Sequence, residues 1–225
     1  MKIRHFELRL KYKFSNGYSL KKLDRRQKME EKSKFFTSEN IAVLGILAAF
    51  VVVLQIFGSY FKIGAVQFSF VLVPIVLGSI LTGAIGGAIL GFLFGLITLI
   101  MGIVGVDQFT FILFSDHPFL TILTCIVKAT AAGYLSGLIY SLVSKKNKTA
   151  AVFSAAAIAP IANTSLFIIG ALFMSDTLTA NFVQSGTSVM YFLIIGCAGV
   201  NFLVELAINL LFAPTIYRII KVVKK

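Results

Sequence analysis

From Ile41 onward the chain is a succession of uncharged apolar runs parted by short polar breaks. An α-helix rises 1.5 Å per residue, so about twenty apolar residues cross a hydrocarbon layer of ~30 Å. On that measure the pattern predicts six spans, at 41–60, 66–81, 84–104, 119–143, 150–173 and 188–213. The second is short and carries Pro74, and a proline disfavours helical geometry in the residue before it. Only Leu81, Thr82 and Gly83 separate it from the third, so a five-span chain that merges 66–104 is the competing reading. The expected fold class is all-α, a polytopic membrane protein of six transmembrane helices.

Composition agrees with the pattern. Of the 225 residues 58% are hydrophobic and 13% charged, with a mean hydropathy of +0.92. Soluble domains run at about 25% charged residues, so a soluble enzyme, a secreted disulfide scaffold and a nucleic-acid reader are all excluded. The net charge of +12 raises the question of a polyanion partner until the charges are located. Residues 1–40 hold twelve Lys/Arg and five acids, against nine and four in all the rest. Lys145, Lys146 and Lys148 follow span four, Arg218, Lys221, Lys224 and Lys225 follow span six, and Lys62 alone falls on the other side. Because cytoplasmic loops carry the excess of Lys and Arg, both termini are expected inside. The expected organisation is a basic, partly disordered cytoplasmic tail at 1–40 lying against anionic lipid, a six-helix membrane domain at 41–218 and a basic cytoplasmic end at 219–225.

Small residues mark helix contacts. Gly83, Gly87, Gly91 and Gly95 recur every fourth residue in span three, and Gly133 and Gly137 repeat the spacing in span four. Such stripes let helices approach backbone to backbone, and ordinary packing within the subunit accounts for them. Ala42, Gly45, Ala48 and Ala49 give span one a small face that serves an external partner as readily as an internal neighbour.

Polar residues inside the bilayer need a reason. Counting 1.5 Å per residue from the outer end of span four places Lys128 roughly 14 Å deep, near the midplane. Asn163 on span five and Asn201 on span six reach a similar level, and Glu205 and Asn209 follow Asn201 at four-residue intervals on one face. Two readings stand: a buried Lys128–Glu205 ion pair with asparagines bonding between helices, or a polar pocket in which Lys128 receives an anionic ligand group. Three outer loops would cover that pocket, containing Gln67, then Asp107 and Gln108, then Asn181 to Thr187. His117 beside Asp116 resembles a catalytic or metal pair, but a proline-started helix with Asp116 near its cap explains the turn without chemistry.

No G-x-x-x-x-G-K-[ST], H-E-x-x-H or G-x-S-x-G run occurs, so ATP hydrolysis through a P-loop and the familiar zinc and serine hydrolase sites are not expected. Cys125 and Cys197 fall inside spans, where a thiol behaves as a small hydrophobe. No cofactor and no metal are expected.

The stretch Ile41-Ala-Val-Leu-Gly-Ile-Leu-Ala-Ala-Phe50, the run Phe68-Ser-Phe-Val-Leu-Val-Pro-Ile-Val-Leu-Gly78 leading into the glycine-rich third span, and Ala159-Pro-Ile-Ala-Asn-Thr164 resemble the substrate-binding S components of energy-coupling factor (ECF) vitamin transporters. The likeness covers roughly residues 36–220; the basic tail departs from it, and Gly45 stands where the family often has alanine. The resemblance implies a non-enzymatic six-helix subunit that captures a vitamin or precursor outside. It docks on a transmembrane coupling subunit carrying two ATPases. On that reading Ala42, Gly45, Ala48 and Ala49 face the coupling subunit, and the expected substrate-binding set is Lys128, Asn163, Asn201, Gln67, Gln108, Tyr191 and Thr124. One buried cation among asparagines suits a small carboxylate bearing hydroxyl and amide groups, which makes pantothenate the first candidate. Riboflavin is the second, with Phe109, Phe111, Phe114, Phe119, Phe167 and Tyr191 available as a ring platform. An autonomous secondary transporter or channel is the alternative from another class.

Overall fold

The computed structural model describes residues 37–58, 62–63, 66–67, 70–183 and 186–223. Most of the basic tail, Tyr60, Gln184, Ser185 and the side chain of Gln67 lie outside the described residues. The chain divides into two units, Met1–Ile41 and Ala42–Lys225, and the second holds the cavity described below.

Helix α1 covers Ser38–Gly58; strands β1 (Lys62–Ile63) and β2 (Val66–Gln67) pair antiparallel, with Lys62 opposite Gln67. Then come α2 (Leu72–Thr82), α3 (Ala84–Ile103), α4 (Gln108–Asp116), α5 (Pro118–Val143), α6 (Lys148–Leu172) and α7 (Ser175–Asn181). The last span starts as α8 (Val189–Tyr191), passes through a π-helical stretch at Phe192–Gly199 and continues as α9 (Val200–Val223). Among the described residues five helices are long and apolar enough to cross a membrane, counting Val189–Val223 as one, and α2 is a shorter apolar helix of 11 residues. The protein is an all-α polytopic membrane protein.

Two boundaries differ from the sequence expectation. The second helix starts at Leu72 rather than 66, because the hairpin takes the preceding residues and Pro74 falls in the first turn, where no intrahelical N–H is required. Gly83, at φ +88°, adopts a conformation that side-chain-bearing residues avoid and turns the chain between α2 and α3, so 66–104 is not one helix. The last span reaches Val223, ten residues beyond the apolar run, with Pro214 inside it. Helices α4 and α7 belong to no span; their polar ends and short length hid them among loop residues.

The glycine stripe is spent inside the subunit. A Cβ at Gly87 would collide with the Gly133 carbonyl, one at Gly91 with that of Ala129 and one at Gly95 with that of Cys125, so α3 and α5 touch along their backbones. Lipid tails are as apolar as leucine, and close packing of this kind is what holds membrane helices together. Polar links add direction: Ser79 and Ser136 hydroxyl oxygens lie 3.1 Å apart, and Ser136 donates to the Ala155 carbonyl at 3.0 Å, joining α2, α5 and α6. One apolar cluster gathers Leu47, Val51, Leu72, Ile75, Leu90 and Phe94 around Ala129 and Ala132; a second unites α2, α6 and α9 through Val76, Val152, Ala213 and Ile216. A third, at the α4 end, contains Phe109, Leu113, Met174, Leu178 and Leu193.

Candidate functional site

A cavity of about 70 Å³ lies between α1, α3, α4, α5, α6 and the last span. A water needs roughly 10–15 Å³ on this kind of measure, so several fit. Lys128 comes from α5, Asn163, Thr164 and Phe167 from α6, Cys197 and Ala198 from the π-helical stretch, and Asn201 and Glu205 from α9. The π-helical stretch carries the cavity residues Cys197 and Ala198, as such wide turns often do at functional sites.

The Lys128 ammonium stands 4.8 Å from the centroid of the Phe167 ring. Among the described residues no ion pair joins it to Glu205; the only pair is that of His117 with Asp176. Glu205 is buried and lines the same cavity. Asn201 Nδ2 donates to the Cys197 carbonyl at 3.2 Å, and Asn209, one turn on, repeats the bond to the Glu205 carbonyl at 2.8 Å. The cavity's other wall is built from Gln55, whose Nε2 donates to Thr98 Oγ1 at 3.3 Å, and from Asp107, whose carboxylate accepts the Thr110 hydroxyl at 2.6 Å. Phe109 and Phe167 bring aromatic rings to the lining, 5.8 Å apart and tilted by 53°.

Of the expected substrate-binding set, Lys128, Asn163 and Asn201 converge on this cavity. Gln108 does not: it is exposed and donates to the Gly105 carbonyl at 3.1 Å. Tyr191 is 58% exposed and does not line the cavity, and Thr124 packs against Gly170 of α6. The backbone of Gln67 pairs with Lys62. Counting depth found the residues near the midplane, whereas Gln55 and Thr98 went unremarked although each is a polar residue within an apolar span, the very signal that singled out Lys128.

The Asp116–His117 turn has a structural task. Asp116 does not cap α5; its carboxylate accepts the Thr177 hydroxyl at 2.8 Å, while His117 Nε2–H donates to the two Asp176 oxygens at 3.0 and 3.1 Å. Both bonds tie the α4–α5 corner to α7. The backbone N–H of Thr177 first, and the His117 ring second, hold the Asp176 carboxyl below its ordinary value of 3.8. Among the described residues no three His, Cys, Asp or Glu side chains gather as a metal site.

Among the described residues, the five helices of spanning length thus all contribute to a polar cavity that contains a lysine. Residues 39–217 match the family described as ECF transporter, substrate-specific component. The chain belongs to that family. It matches no curated protein. As an S component it is an integral membrane protein that binds the transported solute and is not a catalytic subunit. On α1 of this S component, Ala42, Gly45 and Ala49 are exposed, Ala48 is half-buried, and a Cβ at Gly45 would meet nothing within 4 Å.

Proposed function

We propose that this S component captures a vitamin or vitamin precursor from outside the cell, pantothenate before riboflavin, and delivers it through a transmembrane coupling subunit driven by two ATPase subunits. The observation that carries the substrate reading is Lys128: an ammonium on a cavity wall inside an apolar span, 4.8 Å from an aromatic ring centroid and, among the described residues, in no ion pair. An ionisable group at that depth is functional by default. It supplies the charge that a pantothenate carboxylate seeks, and the amides of Asn163 and Asn201 suit the hydroxyl and amide groups that remain. The rings of Phe94, Phe109 and Phe167 on the lining favour riboflavin as the second reading, since a flavin buries well against aromatic faces.

The test is Lys128→Met in the purified protein, with pantothenate binding followed by thermal stabilisation. A charge-assisted hydrogen bond contributes about 1.5–3 kcal/mol, so affinity should fall roughly tenfold to a hundredfold. Unchanged affinity would remove the carboxylate role. Stabilisation by riboflavin and not by pantothenate would reverse their order.

A further inference from the structure

At the end of the bundle remote from α4 and α7, the start of α6 meets the close of α9. Val152, one turn beyond Lys148, shares an apolar cluster with Ile216 and Ile220, and Tyr140 and Tyr217 pack against it. Lys148 and Lys221 both act electrostatically on the Tyr217 phenol, and the Lys221 ammonium stands 4.6 Å from the centroid of that ring. Lys145 and Lys146 lie in the turn just before α6. These four lysines are exposed and, among the described residues, in no ion pair. Of the four acids beyond Ile41, Asp107, Asp116 and Asp176 belong to the α4–α7 end, and Glu205 precedes Tyr217 by twelve residues, about 18 Å along α9. The first amides of α6 are already engaged: Asn147 accepts from the Thr149 and Ala150 N–H groups at 2.9 and 3.1 Å. Exposed apolar side chains flank the lysines, Leu142 on α5, Phe153 on α6 and Val222 on α9.

We infer that this corner binds the headgroup phosphate of an anionic phospholipid: Lys148 and Lys221 hold the phosphate, Lys145 and Lys146 add attraction, and the acyl chains lie against the apolar flank. Like charges gathered without a counter-charge repel one another, and an anion relieves that repulsion. Basic pockets between membrane helices on the cytoplasmic side take anionic headgroups in this way, and the excess of Lys and Arg assigns this end to the cytoplasm. A free phosphate matches the lysines but leaves the apolar flank unused, which favours the lipid. Orientation in the membrane needs positive charge anywhere on this side, whereas a headgroup site needs it at these positions. The inference is independent of the substrate reading, since the cavity draws none of its lining from this end.

The experiment is native mass spectrometry of the full chain in neutral detergent, titrated with phosphatidylglycerol or with phosphatidylcholine. Wild type should retain phosphatidylglycerol roughly tenfold more tightly or better, and Lys148→Gln/Lys221→Gln should lose most of that preference, about fivefold for each cation removed. Lys21→Gln/Lys22→Gln removes the same charge from the basic tail and should keep the preference. The lipid-free melt of each variant reports its fold, and Lys148→Gln alone carries the same reading, at about fivefold, in place of a double variant that melts early. Equal loss in the two double variants means diffuse attraction to the whole chain and overturns the site, as does equal retention of the two lipids by wild type. Inorganic phosphate is the third arm: if at millimolar concentration it stabilises wild type against heat as well as phosphatidylglycerol does, the corner takes a free anion and the lipid assignment falls. Undiminished preference in Lys148→Gln/Lys221→Gln together with lost co-purification with the ATPase module would give these cations to a protein partner instead, and also overturns it.

Discussion

Asp176 is held in its charged form first by the backbone N–H of Thr177, its neighbour in α7, and second by the His117 ring at the start of α5. A carboxyl whose folded value lies below its unfolded one stabilises the fold at pH above the unfolded value, and the benefit is lost as the pH falls through the lower folded value. The window is therefore acidic, opening near 3.8 and extending below it. Thermal melts should show wild type and Asp176→Asn converging as the pH drops through that range, with the variant less stable above it. A constant difference at every pH would remove the carboxylate from the account. Because the Asp176 side chain is 72% exposed, the effect is expected to be small and sensitive to salt. Depth counting brought Lys128, Asn163 and Asn201 to one level because helices convert residue number into height; it carries no information on azimuth, and the structure leaves Tyr191 exposed and Thr124 against Gly170.

Two helix faces rich in small residues have opposite surroundings. The stripe of α3 meets the backbone of α5, and a single methyl group at Gly91 would strike the Ala129 carbonyl. Gly91→Ala should lower stability by about 1–3 kcal/mol, the usual cost of overpacking, read as a drop in melting temperature in detergent. An unchanged melt would mean that α3 and α5 part without penalty. The small face of α1 instead has open space at Gly45, among the exposed Ile41, Ile46 and Phe50. Gly45→Leu/Ala49→Leu should leave the melt intact and abolish co-purification with the ATPase module; retention of the partners would remove this face as the docking site. Spacing alone could not tell the two stripes apart, since a four-residue repeat records how closely a helix can be approached and not by what. The five long apolar helices of the described residues were legible because a bilayer demands length. The α4 and α7 helices were not, because helices of nine and seven residues are too short to cross a bilayer and no such demand fixes their length.

Across the whole molecule, burial is uneven. Half of the apolar window of α3 is buried within the subunit, against 22% for α1 and 28% for the last span. A chain that delivers its solute only with a powered partner should accumulate no pantothenate when reconstituted alone in liposomes, and should do so once the coupling module and ATP are added. Uptake by the lone chain would establish an autonomous transporter instead. The backbone seam between α3 and α5 also dictates how this sequence is free to drift. Positions 87, 91 and 95 admit no side chain, while Ile85, Ile89, Phe92, Leu96 and Ile100 on the same helix are exposed and can exchange for any apolar residue. Among descendants of this gene, α3 should therefore read as a fixed comb of glycines set in a background that changes freely, and a lineage that loses one tooth should show a smaller residue or a shifted contact at 125, 129 or 133.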